Sequence, residues 1–335
     1  MNKADYQNIW VYAEQENGVL SPAVFELLAK SHDLKAKLGG TDTVTAVLLG
    51  DHVAGLSETL FDYGAEQVIV AEHENLRQYR HRPYTEALAK LAEDYLPSIF
   101  LFPASPNGRE LAPRVMAALD TGLTADAIDL DIDEDGVFVQ TTPNYGGSIL
   151  SHICIPDRRP QMVTVHPGVF TPKKERRGGM GKVLLEQLEI TDDKDYVILD
   201  EVQKPALGKP ITEASVLVSA GRGMKKQEDL ELLQELAELL GGQLACSRPL
   251  TDNGWMDHSC QIGQSGANVK PDLIVNVAVS GSVQYVAGMQ NAKCIVSINH
   301  AGTAPIFDVS HYGVVTDYRT IVPAIIAEIR SRKGE

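Results

Sequence analysis

The strongest constraint on the fold is a repeated switch between two hydrophobic periods. Short continuous apolar runs at residues 9–13, 44–49, 67–71 and 98–103 read as buried strands. Between and after them lie segments with helical spacing: 22–38 (Val24, Leu27, Leu28, Leu34), 53–63 stopped by Gly64, 84–95 with Pro83 near its first turn, and 109–119. Strands alternating with helices predict a parallel sheet covered on both faces. Residues 128–169 read mostly as strands, with turns at Asp135-Gly136 and Gly146-Gly147, which predicts an antiparallel extension.

A second α/β block follows a change in composition. Residues 190–212 hold Asp192-Asp193-Lys194-Asp195, Pro205, Gly208 and Pro210, the composition of a linker. The expected division is 1–205 and 206–335, close to what roughly 150 residues per domain suggests for 335. In the second block, strands are predicted at 216–218, 244–246, 273–279, 294–298 and 313–315. Helices are predicted at 228–240, from 280 to 289, and at 321–329. The class is therefore α/β: an N-terminal parallel-sheet domain with an antiparallel extension, then a second parallel-sheet domain.

Charge and cysteine content narrow the partners. Thirty Lys and Arg against 45 Asp and Glu leave a net charge of −15, which repels nucleic acid and anionic lipid. No apolar run approaches the roughly 20 residues of a membrane span, and Met1 to Asp5 leads into no signal-peptide core, so a cytoplasmic location is expected. Cys154, Cys246, Cys260 and Cys294 form no Cys-x-x-Cys, consistent with thiols in a reducing compartment.

Several familiar motifs fail. Gly221-Arg222-Gly223 lacks the third glycine of the dinucleotide fingerprint, since Lys226 stands there. Gly178-Gly179-Met180-Gly181-Lys182 ends in Val183 and has Arg176 at its first glycine. Asp131-x-Asp133-x-Asp135-Gly136 has Thr142 at the final calcium-ligand position. Gly263-Gln264-Ser265-Gly266 lacks nucleophile-elbow spacing, and the nine histidines lack metal-ligand spacing.

Four loops survive: Gly221-Arg222-Gly223, Ser247-Arg248, Gly263-Gln264-Ser265-Gly266 and Ser280-Gly281-Ser282-Val283-Gln284. Each lies after a strand or before a helix, where parallel sheets bind ligands. Glycine admits close backbone approach, the turn at 280–282 offers N–H groups to phosphate, and Arg222 and Arg248 supply positive charge for a pyrophosphate or a reduced, anionic ring. Singly each also fits a plain turn; together they favour a nucleotide-like ligand.

At these residues the chain resembles the alpha subunit of electron-transfer flavoproteins. The resemblance runs through Gln261 to Gly266, Pro271-Asp272-Leu273, Ser280 to Met289, Ile298-Asn299, Ala304 to Phe307 and Tyr312 to Asp317. Upstream it includes Ser219 to Gly223, Gly108 to Arg114, Thr121 to Asp126 and Arg159 to Met162, and so nearly the whole chain. It implies a heterodimer in which the first domain contacts a beta subunit. The second domain binds one FAD and swings on a hinge, for which residues 205–210 or the glycines at 178–181 are candidates.

Carried onto this chain, the resemblance puts Arg222 along the cofactor. Ser247 and Arg248 flank the isoalloxazine, where a guanidinium favours the singly reduced anionic flavin. Ile262, Gly263, Gln264 and Ser265 lie beside the ring, with Ser265 (often threonine in the family) a donor near N5. Ser280, Gly281, Ser282, Val283, Gln284 and Tyr285 wrap the ribityl and pyrophosphate, and Asn299, Asp317 and Tyr318 hold the adenosine end. Tyr285 stands where many family members have a histidine that can bond the flavin C2 carbonyl; a tyrosine hydroxyl can donate the same bond but cannot carry the positive charge. His166 likewise replaces a common arginine.

No general acid, nucleophile or metal ligand is implied; the redox chemistry is the cofactor's. Electrons would come from NADH or an acyl-CoA dehydrogenase. The first-half motifs look most like the bifurcating subgroup, which has a second FAD on the beta subunit and sends electrons to ferredoxin or flavodoxin as well; otherwise AMP is expected there. The competing readings are a non-bifurcating carrier to a quinone-linked acceptor, a nicotinamide-dependent dehydrogenase, and an adenine-nucleotide sensor built on the first domain.

Overall fold

The computed structural model describes residues 3–144, 149–175, 181–191 and 210–333. The expected turn at Gly146-Gly147, the glycines Gly178 and Gly179, and residues 205–209 of the expected hinge lie outside them. The chain divides into two units, 1–201 and 202–335.

In the first unit, strand β1 (Gln7–Tyr12) leads through a hairpin, β2 (Gln15–Glu16) and β3 (Val19–Leu20), into α1 (Pro22–Lys37). Pro22 opens this helix with its φ already set and no N–H to lose. Then come β4 (Val44–Gly50), a 3-10 turn at Ala54–Leu56, α2 (Ser57–Asp62), β5 (Gln67–Glu72), α3 (His81–Tyr95), β6 (Pro97–Pro103) and α4 (Pro106–Ala118). The helix expected at 53–63 is thus split into a 3-10 turn and a short α-helix. Next are β7 (Gly122–Ala127), β8 (Asp129–Ile132), β9 (Phe138–Asn144), β10 (Ile149–Ile153), β11 (Gln161–Val165) and β12 (Lys182–Glu186).

Seven of these strands form one parallel sheet in the order β12-β5-β4-β1-β6-β11-β7. The antiparallel strands β8, β9 and β10 make a separate small sheet instead of extending the parallel one. Burial explains why β11 stands apart from the antiparallel run: every residue of Gln161–Val165 is buried, so the strand belongs inside a doubly covered sheet. One face is filled by Val24, Leu28, Val68 and Leu101. The other holds Trp10, whose ring meets Phe100 edge-on at 5.3 Å.

The second unit contains β13 (Val216–Ala220), α5 (Asp229–Leu239), β14 (Gln243–Ser247), α6 (Arg248–Asp252), β15 (Gln261–Ile262), β16 (Leu273–Val277), α7 (Val283–Ala287), β17 (Ile295–Asn299), β18 (Tyr312–Val315) and α8 (Tyr318–Lys333). All six strands are parallel, in the order β15-β14-β13-β16-β17-β18. Counted within the unit this is 3-2-1-4-5-6, the doubly wound dinucleotide-binding order. The missing fingerprint glycine therefore does not exclude that topology. Leu233, Leu236 and Val322 pack one face, and Leu217, Ile274 and Met289 the other.

Glu66 ties the first sheet to its helices. Its carboxylate accepts from Lys35 Nζ at 2.7 and 2.8 Å and from the Val44 N–H at 2.8 Å. Burial alone pushes this carboxyl up; the Lys35 ammonium and the Val44 N–H outweigh it and leave it lowered. Its stabilising effect is therefore present above the unfolded glutamate value and lost as pH falls through the lower folded one. Denaturant unfolding should show Glu66→Gln less stable than wild type by about 1 kcal/mol at pH 7, with the gap closing as the solution is acidified below ~4.

Candidate functional site

The second sheet has one topological switch point, between β13 and β16, and the loops leaving their carboxyl ends meet there. Gly221 N–H donates to Val277 O at 2.9 Å and Gly223 N–H to Ala278 O at 3.0 Å. A Cβ on Gly221 would stand 2.2 Å from Ala278 O, so no larger residue fits. Ala278 itself holds a left-handed φ of 56°, rare for a residue with a Cβ and common at functional turns.

Three other loops border this junction. Ser280-Gly281-Ser282 enters α7, with Gly281 at φ 85° and its Cβ position 2.2 Å from Ile306 N. The first N–H groups of α7 have no intrahelical acceptor. The loop after β15 is keyed to α7: Gln264 N–H donates to Gln284 O at 3.0 Å, and a Cβ on Gly263 would lie 2.9 Å from the same oxygen. The Gln261 side chain bridges Thr251 Oγ1 (2.7 Å) and Ser265 Oγ (2.9 Å). Ser247 and Arg248 form the β14–α6 junction, so Arg248 starts a short helix, with Pro249 in its first turn, where the sequence suggested only a loop. Arg248 Nε lies 3.2 Å from Asp252 Oδ2, and both side chains are exposed. Arg222 is exposed and makes no ion pair among the described residues.

A cavity of about 140 Å3 opens at the carboxyl ends of β13, β16, β17 and β18. It brings together Asn299, Asp317 and Tyr318, as expected, and adds Lys225, His300 and Thr316, which sequence reasoning missed. Asn299 shapes the cavity wall through Val279 O (2.7 Å) and the Ala301 N–H (2.9 Å). Asp317 faces Lys225 Nζ at 3.3 Å and accepts from the Arg319 N–H at 2.9 Å. Tyr318 donates to Asp229 Oδ2 at 2.6 Å and accepts from the Lys225 N–H at 3.1 Å. The main-chain N–H of Arg319 and the Lys225 ammonium outweigh desolvation at Asp317 and keep its carboxyl low, so this rim is ionised at neutral pH.

Tyr285 departs from the expectation. Its hydroxyl lies beneath the sheet, 2.7 Å from Ser219 Oγ and 2.6 Å from Asn276 Oδ1, and only 4% of the residue is exposed. Two buried polar groups on β13 and β16 offer the phenol partners that a crevice-facing rotamer would forgo. Burial drives its pKa far up, so it remains a neutral phenol. Burial first, and the Arg109 guanidinium second, push the His166 imidazole below its ordinary pKa, against the opposing Asp126 carboxylate.

The first unit has an equivalent switch point, between β1 and β6, but a carboxylate fills it. Glu14, 8% exposed, accepts from Ser105 Oγ at 2.6 Å, and burial pushes its carboxyl up. Glu14 Oε2 has no hydrogen-bond partner among the described residues. An incoming phosphate would meet this group, which disfavours the nucleotide sensor built on the first domain.

Fold and site together define a two-domain α/β protein with a dinucleotide-type crevice in its second domain. The electron transfer flavoprotein domain family matches residues 9–192, and the electron transfer flavoprotein FAD-binding domain family matches residues 210–290. A protein FixB of Clostridium saccharobutylicum is 40% identical over 332 residues, covering 98% of each chain. An electron transfer flavoprotein subunit alpha of Thermoanaerobacterium thermosaccharolyticum is 39% identical over 98% of this chain and 99% of its own. The subunit LctC of the lactate dehydrogenase (NAD(+),ferredoxin) of Acetobacterium woodii is 37% identical over 98% of this chain and 78% of its own. The chain belongs to the electron transfer flavoprotein alpha subunit family. Its second domain is that family's FAD-binding domain, and its role is electron transfer.

The glycine cradle at the switch point leaves room for the close approach of a dinucleotide pyrophosphate. Gly221→Ala should therefore lower bound flavin per chain at least tenfold in absorbance spectra, with far-ultraviolet circular dichroism unchanged.

Proposed function

We propose that this chain carries one FAD in the crevice between β13 and β16 and passes electrons as a heterodimer with a beta subunit. The observation that carries the reading is the crevice itself: a 3-2-1-4-5-6 sheet whose switch point is walled by Gly221, Gly263 and Gly281, with Arg222 and Arg248 beside it. Bound FAD supplies one- and two-electron redox chemistry.

The chain's own residues bind, shield and charge that site. Arg222, with the N–H groups of Ser280 to Gln284, neutralises the pyrophosphate and holds the ribityl chain. Ser247, Arg248 and the Ile262–Ser265 backbone border the ring, Arg248 favouring added negative charge and the Ser265 hydroxyl donating near N5. Asn299, Asp317 and Tyr318 shape the adenosine end. A cytoplasmic location goes with this reading, a compartment that keeps the four free thiols reduced. Among the described residues no helix is long and apolar enough to cross a membrane.

For the partners, the reading favours bifurcation. On it, NADH would be the donor, the beta subunit would hold a second FAD, and a dehydrogenase, such as an acyl-CoA dehydrogenase, together with ferredoxin or flavodoxin would be the acceptors. The LctC relative supports it, because the name of its complex couples NAD(+) and ferredoxin. The alternative is a simple carrier from acyl-CoA dehydrogenases to a quinone-linked acceptor, with AMP on the beta subunit. Copurification with the beta subunit separates them: two FAD per heterodimer and reduction by NADH are expected, whereas one FAD and no response to NADH leave the simple carrier. In a redox titration, Arg248→Ala should lower accumulation of the singly reduced anionic flavin by about tenfold, the scale of one lost charge-assisted contact.

A further inference from the structure

The second domain hides a line of polar side chains in an otherwise apolar layer. Ser219, Asn276 and Ser297 lie on the adjacent strands β13, β16 and β17, each at 0% exposure, and Tyr285 reaches them from α7. Proton counting fixes the direction of every bond. Asn276 Oδ1 can only accept, so the single Tyr285 proton goes to it across 2.6 Å, and Tyr285 in turn accepts from Ser219 Oγ at 2.7 Å. Asn276 Nδ2 donates to Ser297 Oγ at 3.2 Å. Ser310 donates to Ile306 O at 2.7 Å, which leaves Ser297 to donate to Ser310 Oγ across their 2.7 Å contact. The chain runs one way, from Ser219 through Tyr285, Asn276, Ser297 and Ser310 to the Ile306 carbonyl, with each hydroxyl proton used once.

Two members of this line, Ile306 and Tyr285, also hold the crevice loop. Ile306 N–H donates to Ser280 O at 3.1 Å, while Tyr285 N–H and Val286 N–H donate to Ser282 O at 3.0 and 2.9 Å. The turn at 280–282 is therefore held from both sides. Gln284, the residue before Tyr285, accepts the Gln264 N–H through its carbonyl, so the loop expected beside the flavin ring is keyed to the same turn of helix.

We infer that Tyr285 is a positioning residue: it holds the phosphate-side loop (280–284) and the ring-side loop (262–265) in register from beneath the sheet, and donates nothing to the flavin itself. This rests on the reading of the crevice as the FAD site. Its hydroxyl is fully occupied, and the aligned bonds reinforce one another in a dry interior. Removing the phenol oxygen alone strands Asn276 and Ser219, whereas replacing the polar partners together with apolar groups leaves less unsatisfied.

The test is a double-mutant cycle on the full-length chain with Tyr285→Phe, Asn276→Val and the pair. Tyr285→Phe should weaken FAD binding about tenfold and speed hydrogen exchange at the Gln264 and Ile306 amides in the flavin-free chain. The double variant should recover most of both losses. The midpoint potential and absorbance maxima of bound flavin should stay those of wild type throughout. A shifted potential in Tyr285→Phe would place the hydroxyl on the flavin and overturn the inference. So would unchanged affinity and exchange, or losses in the double variant that simply add. Should Tyr285→Phe fail to fold, Ser310→Ala breaks the far end of the line, and there faster exchange at Ile306 is expected and unchanged exchange contradicts. If the wild-type chain binds no FAD, the FAD reading fails, while the exchange rates still decide whether the line positions the loops.

Discussion

Everything proposed for the second domain depends on how closely two loops approach at the β13–β16 junction. Gly221 and Gly223 donate to the carbonyls of Val277 and Ala278, and Gly221 has no room for a side chain. That contact draws the carboxyl ends of the two central strands into one floor. The loops from β14, β15 and β17 are placed around it by the sheet order. The energetic cost is visible in the left-handed backbone of Ala278, a strain of order 1–3 kcal/mol that the packed layer below must offset.

The layer below does so with an unusual composition. Where a doubly covered parallel sheet is normally apolar on both faces, this one accepts Ser219, Asn276 and Ser297 on three neighbouring strands and satisfies them with Tyr285 and Ser310. A fully satisfied buried network specifies one arrangement of its strands and loops more sharply than apolar packing alone. The same logic separates the two domains. At its own switch point the first domain places Glu14 against Ser105 in place of an open glycine cradle, and one carboxyl oxygen is left without a partner among the described residues.

Much of this is legible in the sequence, for identifiable reasons. Buried parallel strands are continuous apolar runs, so β1, β4, β5, β6 and β16 stand out, and the glycine-hydroxyl loops mark strand ends that approach a ligand. The family resemblance agrees with the matches found across both domains. Three features are not legible. Sheet order is a tertiary property, so the pattern groups β11 with the antiparallel strands although its burial seats it between β6 and β7. Lys225, His300 and Thr316 carry no local pattern; only the convergence of four strand ends brings them to one cavity. The direction of the Tyr285 side chain is decided by Ser219 and Asn276, 66 and 9 residues away in the chain, which no local motif reveals.

On the proposed function, the crevice between β13 and β16 takes a dinucleotide with its adenosine end in the cavity lined by Asn299, Asp317 and Tyr318. An equilibrium absorbance titration of the full-length chain with FAD and, separately, with FMN tests it most directly. Saturation at one FAD per chain is expected, with FMN bound at least a hundredfold more weakly, since FMN leaves the adenosine cavity empty. Equal affinity for the two flavins, or no binding of either, would contradict it.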